Sequence, residues 1–153
     1  MTELKSRHIF TVTLRLHPVE ELGDTPAGRR RVFPISGGEF SGERLRGIVL
    51  PVVGSDLLLN RPDGSSQQDV RLLLKTDDEA LILMTYRGVR HASADVNARL
   101  ARGEAVAASE YYFRTAPFFE TSSEKYSWLN RIITVGVGDR KPVSVIYEVF
   151  EIL

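Results

Sequence analysis

Hydrophobic and polar residues alternate along most of the chain, and this period of two is typical of half-buried β-strands. The clearest alternation lies in His8–Leu16, Asp69–Thr76 and Val143–Ile152. Further extended runs are predicted at Arg31–Ile35, Arg44–Val53, Ala80–Arg87, Ala107–Thr115 and Ser127–Val137. The pattern therefore predicts about eight to ten strands.

Glycine, proline and aspartate mark the predicted breaks between these strands. Asp63-Gly64 lies between two apolar runs, as a hairpin turn requires. Pro18–Gly28 carries two prolines and reads as a loop, and Gly37-Gly38 is predicted to form the next turn.

One segment, Ser93–Arg102, has the pattern of a helix. Ser93 is a favourable N-cap, because its hydroxyl can accept a hydrogen bond from a free amide of the first turn. Val96 and Leu100 are four residues apart, on one helical face, and Gly103 follows where a helix commonly ends.

These elements predict an all-β fold, an antiparallel β-barrel of about 8–10 strands with one short helix near 93–102, as a single domain over 1–153. A βαβ fold would need a helix after nearly every strand. A barrel is favoured over a sandwich because closure removes strand edges. It is also favoured because a lumen accommodates polar groups such as Arg71 and Arg114.

Composition excludes several classes of function. Of the 153 residues, 42% are hydrophobic, and 20 basic residues balance 20 acidic ones. The zero net charge argues against a nucleic-acid or membrane-surface partner. The absence of cysteine excludes thiol catalysis and thiolate metal sites. No apolar run approaches the roughly 18 residues of a membrane span, so a cytoplasmic protein is expected.

Several short motifs resemble one known family. They are Gly42-Glu43-Arg44-Leu45-Arg46-Gly47, Gly54-Ser55-Asp56, Asp63-Gly64, Asp69-Val70-Arg71, the run from Tyr112 to Thr121, and Tyr126-Ser127-Trp128-Leu129-Asn130. On these motifs the chain is similar to the DUF3237 family, also called UPF0311, over nearly its whole length. The resemblance implies an antiparallel β-barrel from a bacterium or fungus and implies no assigned activity.

The chain departs from the family pattern at two positions. Leu57 stands where the family tends to have tryptophan, which would alter the mouth of a pocket. Asp78-Glu79-Ala80 stands where the family tends to have Asp-Gly-Ala, which changes only a turn.

Arg114 is the strongest candidate for binding an anionic ligand. If alternation places it in the lumen beside Tyr112, burial demands a counter-charge, either a protein carboxylate or an anionic ligand. The alternative is a structural ion pair between strands. Asp69 and Arg71 share one strand face, either as an exposed pair or, as the family resemblance suggests, facing the interior.

Asp56 and Glu120 are the candidate catalytic carboxylates. Asp56 follows a glycine turn, where an aspartate commonly accepts hydrogen bonds from backbone amides. At a barrel mouth it could instead act as a general base. Two carboxylates among arginines could have one pKa tuned for proton transfer.

Aromatic and amide side chains form a candidate pocket wall. Tyr126, Trp128 and Asn130 alternate on one predicted strand face, and Tyr86 could add a hydroxyl. Ordinary core packing is the alternative for all four. His8, His17 and His91 lack ligand spacing, and no nucleotide-binding glycine motif occurs, so neither a metal nor a cofactor is expected.

Three functions remain open from the sequence. The first is a proton-transfer enzyme, an isomerase, cyclase or lyase acting on a small organic acid or carbonyl compound. The second is a non-catalytic protein that binds a small carboxylate or apolar ligand. The third is a structural protein whose polar residues brace the barrel. The expected partner is a small molecule, and a homodimer is left open.

Overall fold

The computed structural model describes residues 2–51 and 53–153, which form ten strands and one α-helix. The strands are β1 (Ser6–Leu16), β2 (Glu20–Thr25), β3 (Gly28–Ser41), β4 (Arg46–Val49), β5 (Ser55–Asn60), β6 (Ser66–Thr76), β7 (Leu81–His91), β8 (Tyr112–Glu120), β9 (Thr134–Arg140) and β10 (Ser144–Ile152). The helix α1 spans Ala94–Ala101, and short 3-10 helices span Ala108–Glu110 and Ser127–Arg131.

The strands close into an antiparallel barrel, which confirms the predicted fold. Going round the sheet, β1 is followed by β10, β9, β8, β7 and β6, and then by β4 and β5, which both bridge β6 to β3. Closure comes from β1, which pairs with β10 on one side and with β3 on the other. The barrel thus has eight positions, and β2 is an extra strand on β3.

One end of the barrel is filled by an apolar core. Phe10 contacts Phe40 and Phe119 edge to face, with ring centroids 5.8 and 5.7 Å away. The inward alternation of β1, β6 and β7 supplies the surrounding buried residues, Val12, Leu72, Leu74, Ile82 and Met84. These aliphatic and aromatic contacts supply the main stabilising burial and close that end to a ligand.

The predicted helix is confirmed together with its ends. The Ser93 hydroxyl accepts a hydrogen bond from the Val96 amide at 3.2 Å. Val96 and Leu100 are buried, and Gly103 has a φ of +75°. No helix among the described residues is both long and apolar enough to span a lipid bilayer.

Two predicted breaks are instead parts of strands. The loop predicted at Pro18–Gly28 is wrong, because β2 occupies most of it and pairs with β3. Gly37-Gly38 lies inside β3, where a Cβ at Gly38 would collide with the Thr13 carbonyl oxygen of β1. Close strand approach, not a turn, therefore explains this glycine pair.

Two predicted strands are shorter than expected. In Arg44–Val53 the strand is β4 alone, and residue 52 lies outside the described residues. The extended run predicted at Ser127–Val137 begins as a 3-10 helix, and its strand starts only at Thr134. Tyr126, Trp128 and Asn130 therefore do not alternate on a strand face, and that prediction is wrong.

Candidate functional site

A cavity opens at the end of the barrel opposite the apolar core. It lies where β1, β7 and β9 end and where β3, β6, β8 and β10 begin. The space between its lining atoms, with open solvent at the mouth included, is about 620 Å³. Its apolar wall consists of Leu14, Leu16, Phe33, Ile35, Leu58, Phe113 and Val145.

Asp56 brings a carboxyl group into this cavity. The alternation of β5 turns Asp56 and Leu58 inward and leaves Leu57 outside, 44% exposed. Asp56 Oδ1 accepts a hydrogen bond from the Asp69 amide at 3.2 Å. Burial is the main cause that raises the pKa of Asp56 to about 7, against the opposing effects of that hydrogen bond, Arg90 and Arg31.

Two tyrosines lie next to this carboxyl group. The rings of Tyr86 and Tyr147 meet edge to face with centroids 5.1 Å apart, and both line the cavity. Burial raises the pKa of each phenol well above its ordinary value, and the negative charge of Asp56 raises both further. Both phenols therefore stay protonated at neutral pH, and each keeps a hydroxyl proton that it can donate.

Three arginines also face the cavity, from three strands. They are Arg31, Arg90 and Arg140, and none forms an ion pair with a carboxylate among the described residues. Burial, together with repulsion from the other two guanidinium groups, lowers the pKa of Arg90 to about 10. All three remain charged at neutral pH, so the cavity holds an excess of positive charge.

Gln68 is a buried polar residue of the cavity whose Oε1 has no hydrogen-bond partner among the described residues. Its side chain lines the cavity from β6, and the residue is 2% exposed. Its Oε1 is buried without a hydrogen bond. Gly88 on β7 makes room for it, because a Cβ there would approach Oε1 to 2.9 Å. Such an unpaired group is rare and calls for an explanation.

Asp56 and Tyr86 are the two sequence-predicted candidates that line this cavity. Asp69 and Arg71 lie on the outward face of β6, since Gln68, Val70 and Leu72 are the buried ones. The interior placement expected for Asp69 and Arg71 from the family resemblance is therefore wrong.

Arg114 also lies outside the barrel. Phe113 and Thr115 take the buried positions of β8 and leave Arg114 on the outer surface. There its guanidinium donates to the Phe113 carbonyl at 3.0 Å and lies 5.2 Å from the centre of the Tyr112 ring. The predicted inward orientation is wrong, and the described residues give Arg114 no ion-pair partner.

Glu120 and Tyr126 lie toward the filled end of the barrel. Glu120 is exposed at the last position of β8, whereas the cavity lies at the start of that strand. The Tyr126 hydroxyl donates to Asp78 at 2.8 Å, and Asp78 also accepts from Thr76 and Lys125. These hydrogen bonds hold the pKa of Asp78 well below its usual range.

Trp128 and Asn130 also occupy structural positions away from the cavity. The Arg44 guanidinium stacks 3.8 Å from the centre of the Trp128 ring. Asn130 exchanges two hydrogen bonds with the Thr121 backbone, at 2.8 and 2.9 Å. The expected pocket wall of Tyr126, Trp128 and Asn130 is thus absent from this cavity.

Three cavity residues that the sequence analysis missed follow from strand alternation. Arg90 continues the inward series Ile82, Met84, Tyr86 and Gly88. Gln68 and Tyr147 occupy inward positions of β6 and β10 in the same way. Among the described residues, no group of three or more histidine, aspartate or glutamate side chains could hold a metal ion.

Comparison with known proteins identifies close bacterial relatives. A family model described as "Protein of unknown function (DUF3237)" matches residues 4–152. A UPF0311 protein of Rhodopseudomonas palustris is 35% identical over 150 residues, with 98% of this chain and 97% of the relative covered. A UPF0311 protein of Clostridium acetobutylicum is 34% identical over 151 residues, 98% and 95% of the two chains.

Solved structures of such proteins share the fold. The Rhodopseudomonas palustris protein superposes with a TM-score of 0.93 over 100% of this chain and 99% of its own, at 35% identity. A structure described as a beta-barrel like protein from Acinetobacter baumannii gives 0.86 at 39% identity, over 100% and 98% of the chains.

A fungal relative is more distant. The hydroalkoxylation enzyme phnH of Penicillium herquei is 28% identical over 128 residues, which cover 84% of this chain and 70% of the fungal protein.

Proposed function

The chain belongs to the DUF3237 family, and we propose that it is a proton-transfer enzyme, an isomerase, cyclase or lyase that acts on a small organic acid or carbonyl compound. The proposed active site is the open cavity of the barrel. The observation that carries the proposal is the carboxyl group of Asp56, which lies in that cavity beside two phenols and three guanidinium groups.

Asp56 has the properties of a general acid–base catalyst. Its pKa of about 7 means that both protonation states are populated at neutral pH. A catalytic group works best when its pKa is near the working pH. The carboxylate would take a proton from the substrate, and the resulting acid would return one to another atom of the same substrate.

The phenols and guanidinium groups suit the charge that such a reaction develops. When a proton leaves a carbon next to a carbonyl, negative charge moves to the carbonyl oxygen. Tyr86 and Tyr147 are protonated donors beside Asp56 and would stabilise that oxygen. Arg90 and its neighbouring arginines would hold the anionic group of the substrate.

The fungal relative supports the cyclase form of this proposal. Hydroalkoxylation adds an alcohol across a carbon–carbon double bond. The hydroxyl loses its proton to a base, its oxygen bonds to one alkene carbon, and the other carbon receives a proton. No electron acceptor is required, so one carboxyl group that accepts and returns a proton is sufficient for the exchange.

Deuterium exchange tests the proposal. The protein is incubated in D2O with phenylpyruvate and with small 1,3-dicarbonyl acids, and incorporation at carbon is followed by NMR. We expect the parent protein to exchange these compounds faster than buffer does. The exchange rate should fall at least 100-fold in Asp56→Asn. It should be unchanged in the control Asp77→Asn, because Asp77 is exposed at the filled end of the barrel.

Two results would count against the proposal. Exchange in Asp56→Asn at the rate of the parent protein would exclude Asp56 as the base. Compounds that bind in the cavity without exchange at any pH would indicate the non-catalytic binding protein instead.

A further inference from the structure

The positive charge of the cavity has no internal counterpart that balances it. Three guanidinium groups face one carboxyl group, and no described carboxylate forms an ion pair with Arg31, Arg90 or Arg140. Arg31 does donate to Asn60 Oδ1 at 3.0 Å, which positions it without neutralising it. The three arginines are partly buried, and charges withdrawn from water are normally paired, so an anion is the missing partner.

The Oε1 atom of Gln68 is the second feature of the cavity without a partner in the described part of the chain. Its Oε1 is buried and accepts no hydrogen bond, although the residue lines the cavity. A buried polar group left unpaired costs about 1–3 kcal/mol. A ligand hydroxyl would satisfy it, since a hydroxyl can donate to Oε1 and accept from Nε2.

We infer that the cavity takes a small hydroxylated organic anion, whose negative charge pairs with Arg90, Arg140 and Arg31 and whose hydroxyl pairs with the Gln68 carboxamide. The carbon skeleton packs against the apolar wall of Leu14, Phe33, Leu58 and Phe113. This inference rests on the proposed function only in taking this cavity as the substrate site, and it names the substrate class.

Calorimetric titration with matched probes tests both halves of the inference. The probes are phenylacetate, its 3- and 4-hydroxy derivatives, and 4-hydroxyphenylacetamide, which lacks the charge. We expect the better hydroxy acid to bind about tenfold more tightly than phenylacetate, and the amide to bind at least tenfold more weakly than its acid.

Variants assign these preferences to residues. Arg90→Gln should weaken binding of the acids about tenfold or more, so that their affinity approaches that of the amide. Arg140→Gln is an independent second variant. Arg87→Gln is the matched control, because Arg87 lies on the outer face of the same strand. Gln68→Leu should remove the preference for the hydroxyl, while Gln67→Leu, on the outer face, should retain it.

The inference is overturned by any of four results. The first is that the amide binds as tightly as its acid, and the second is that the acids bind both arginine variants as tightly as they bind the parent. The third is that the preference for the hydroxyl survives in Gln68→Leu. The fourth is that no probe binds at millimolar concentration. The comparison of acid with amide needs no variant, so a variant that fails to fold does not remove the test.

The titrations and the deuterium exchange, both carried out on the parent protein, separate this inference from the proposed function. Binding in the expected order without deuterium exchange in the parent protein would refute the enzyme and leave the ligand class standing. Exchange of compounds that lack either the charge or the hydroxyl, at rates equal to those of the hydroxy acids, would refute the ligand class and leave the enzyme standing.

Discussion

Asp56 and Asp69 are joined across β5 and β6 by one hydrogen bond, in which the Asp69 amide donates to Asp56 Oδ1 at 3.2 Å. This hydrogen bond favours the charged carboxylate and lowers the pKa of Asp56, but burial favours the neutral acid more strongly and raises it. The balance gives Asp56 a pKa of about 7 and makes it the group on which the proposed chemistry depends.

Asp56→Asn should change how stability depends on pH. A carboxyl group whose pKa rises from 3.8 to about 7 on folding binds its proton more tightly in the folded state. Stability from this group is therefore lost as pH rises from about 4 to about 7. Above pH 7 the free energy of unfolding of the variant should exceed that of the parent by at most on the order of 4 kcal/mol. Below pH 4 the two free energies should agree.

Urea denaturation of both proteins at several pH values measures this difference. An increment that is the same at pH 4 and pH 8 would show that Asp56 titrates alike in the folded and unfolded states.

Anion binding should strengthen as pH falls through 7. Asp56 then loses the negative charge that opposes an anion beside Arg90, whereas 4-hydroxyphenylacetate keeps its own charge. We expect about a tenfold gain in affinity between pH 8 and pH 6. Calorimetry should find this gain in affinity in the parent and an affinity that does not change with pH in Asp56→Asn. The same pH dependence in both proteins would show that another group causes it.

Two of the buried tyrosines, Tyr126 and Tyr147, should respond differently to loss of their hydroxyl groups. Tyr126 donates to Asp78 at 2.8 Å at the filled end, so Tyr126→Phe should cost about 1 kcal/mol of stability and leave probe binding unchanged. Tyr147→Phe should instead slow deuterium exchange about tenfold or more. Thermal unfolding and exchange rates measure both effects, and weaker probe binding in Tyr126→Phe would contradict this division.

Glu79→Gly should stabilise the turn between β6 and β7. Glu79 has a φ of +72°, a left-handed conformation that costs most residues about 1 kcal/mol or more. Glycine adopts it freely, and the Lys75–Glu79 ion pair that is lost is an exposed one. We expect a gain of about 0.5–1 kcal/mol in chemical denaturation, with no gain in the control Glu79→Gln, which keeps the strain.

Much of the barrel could be predicted from the sequence because one side of β1, β7 and β10 is nearly continuous in apolar residues. Val145, Tyr147 and Val149 and the helix cap at Ser93 lie as the pattern indicates. The polar lumen expected from Arg71 and Arg114 is nevertheless not formed by these residues, since both face outward. In β6, alternation places Asp69 and Arg71 on the outer face, opposite to the interior placement that the family resemblance implies.

The orientation of β8 could not be predicted from alternation. Tyr111, Tyr112 and Phe113 put aromatic side chains on both faces, so the pattern does not say on which face Arg114 lies. The 3-10 helix at Ser127–Arg131 does not follow from the sequence, because its polar and apolar residues also fit a strand. Asp56 and Tyr86 meet Arg90 and Tyr147 only through barrel closure, which depends on long-range pairing.

The most direct test of the account is the pKa of Asp56 itself, measured in the folded protein. The protein is labelled with 13C at the aspartate carboxyl groups, and the Asp56 resonance is assigned by its loss in Asp56→Asn. We predict a titration midpoint near pH 7 that moves upward when 4-hydroxyphenylacetate is added, since a bound anion favours the neutral acid. A midpoint near the ordinary value of about 4, unchanged by the probe, would contradict the account.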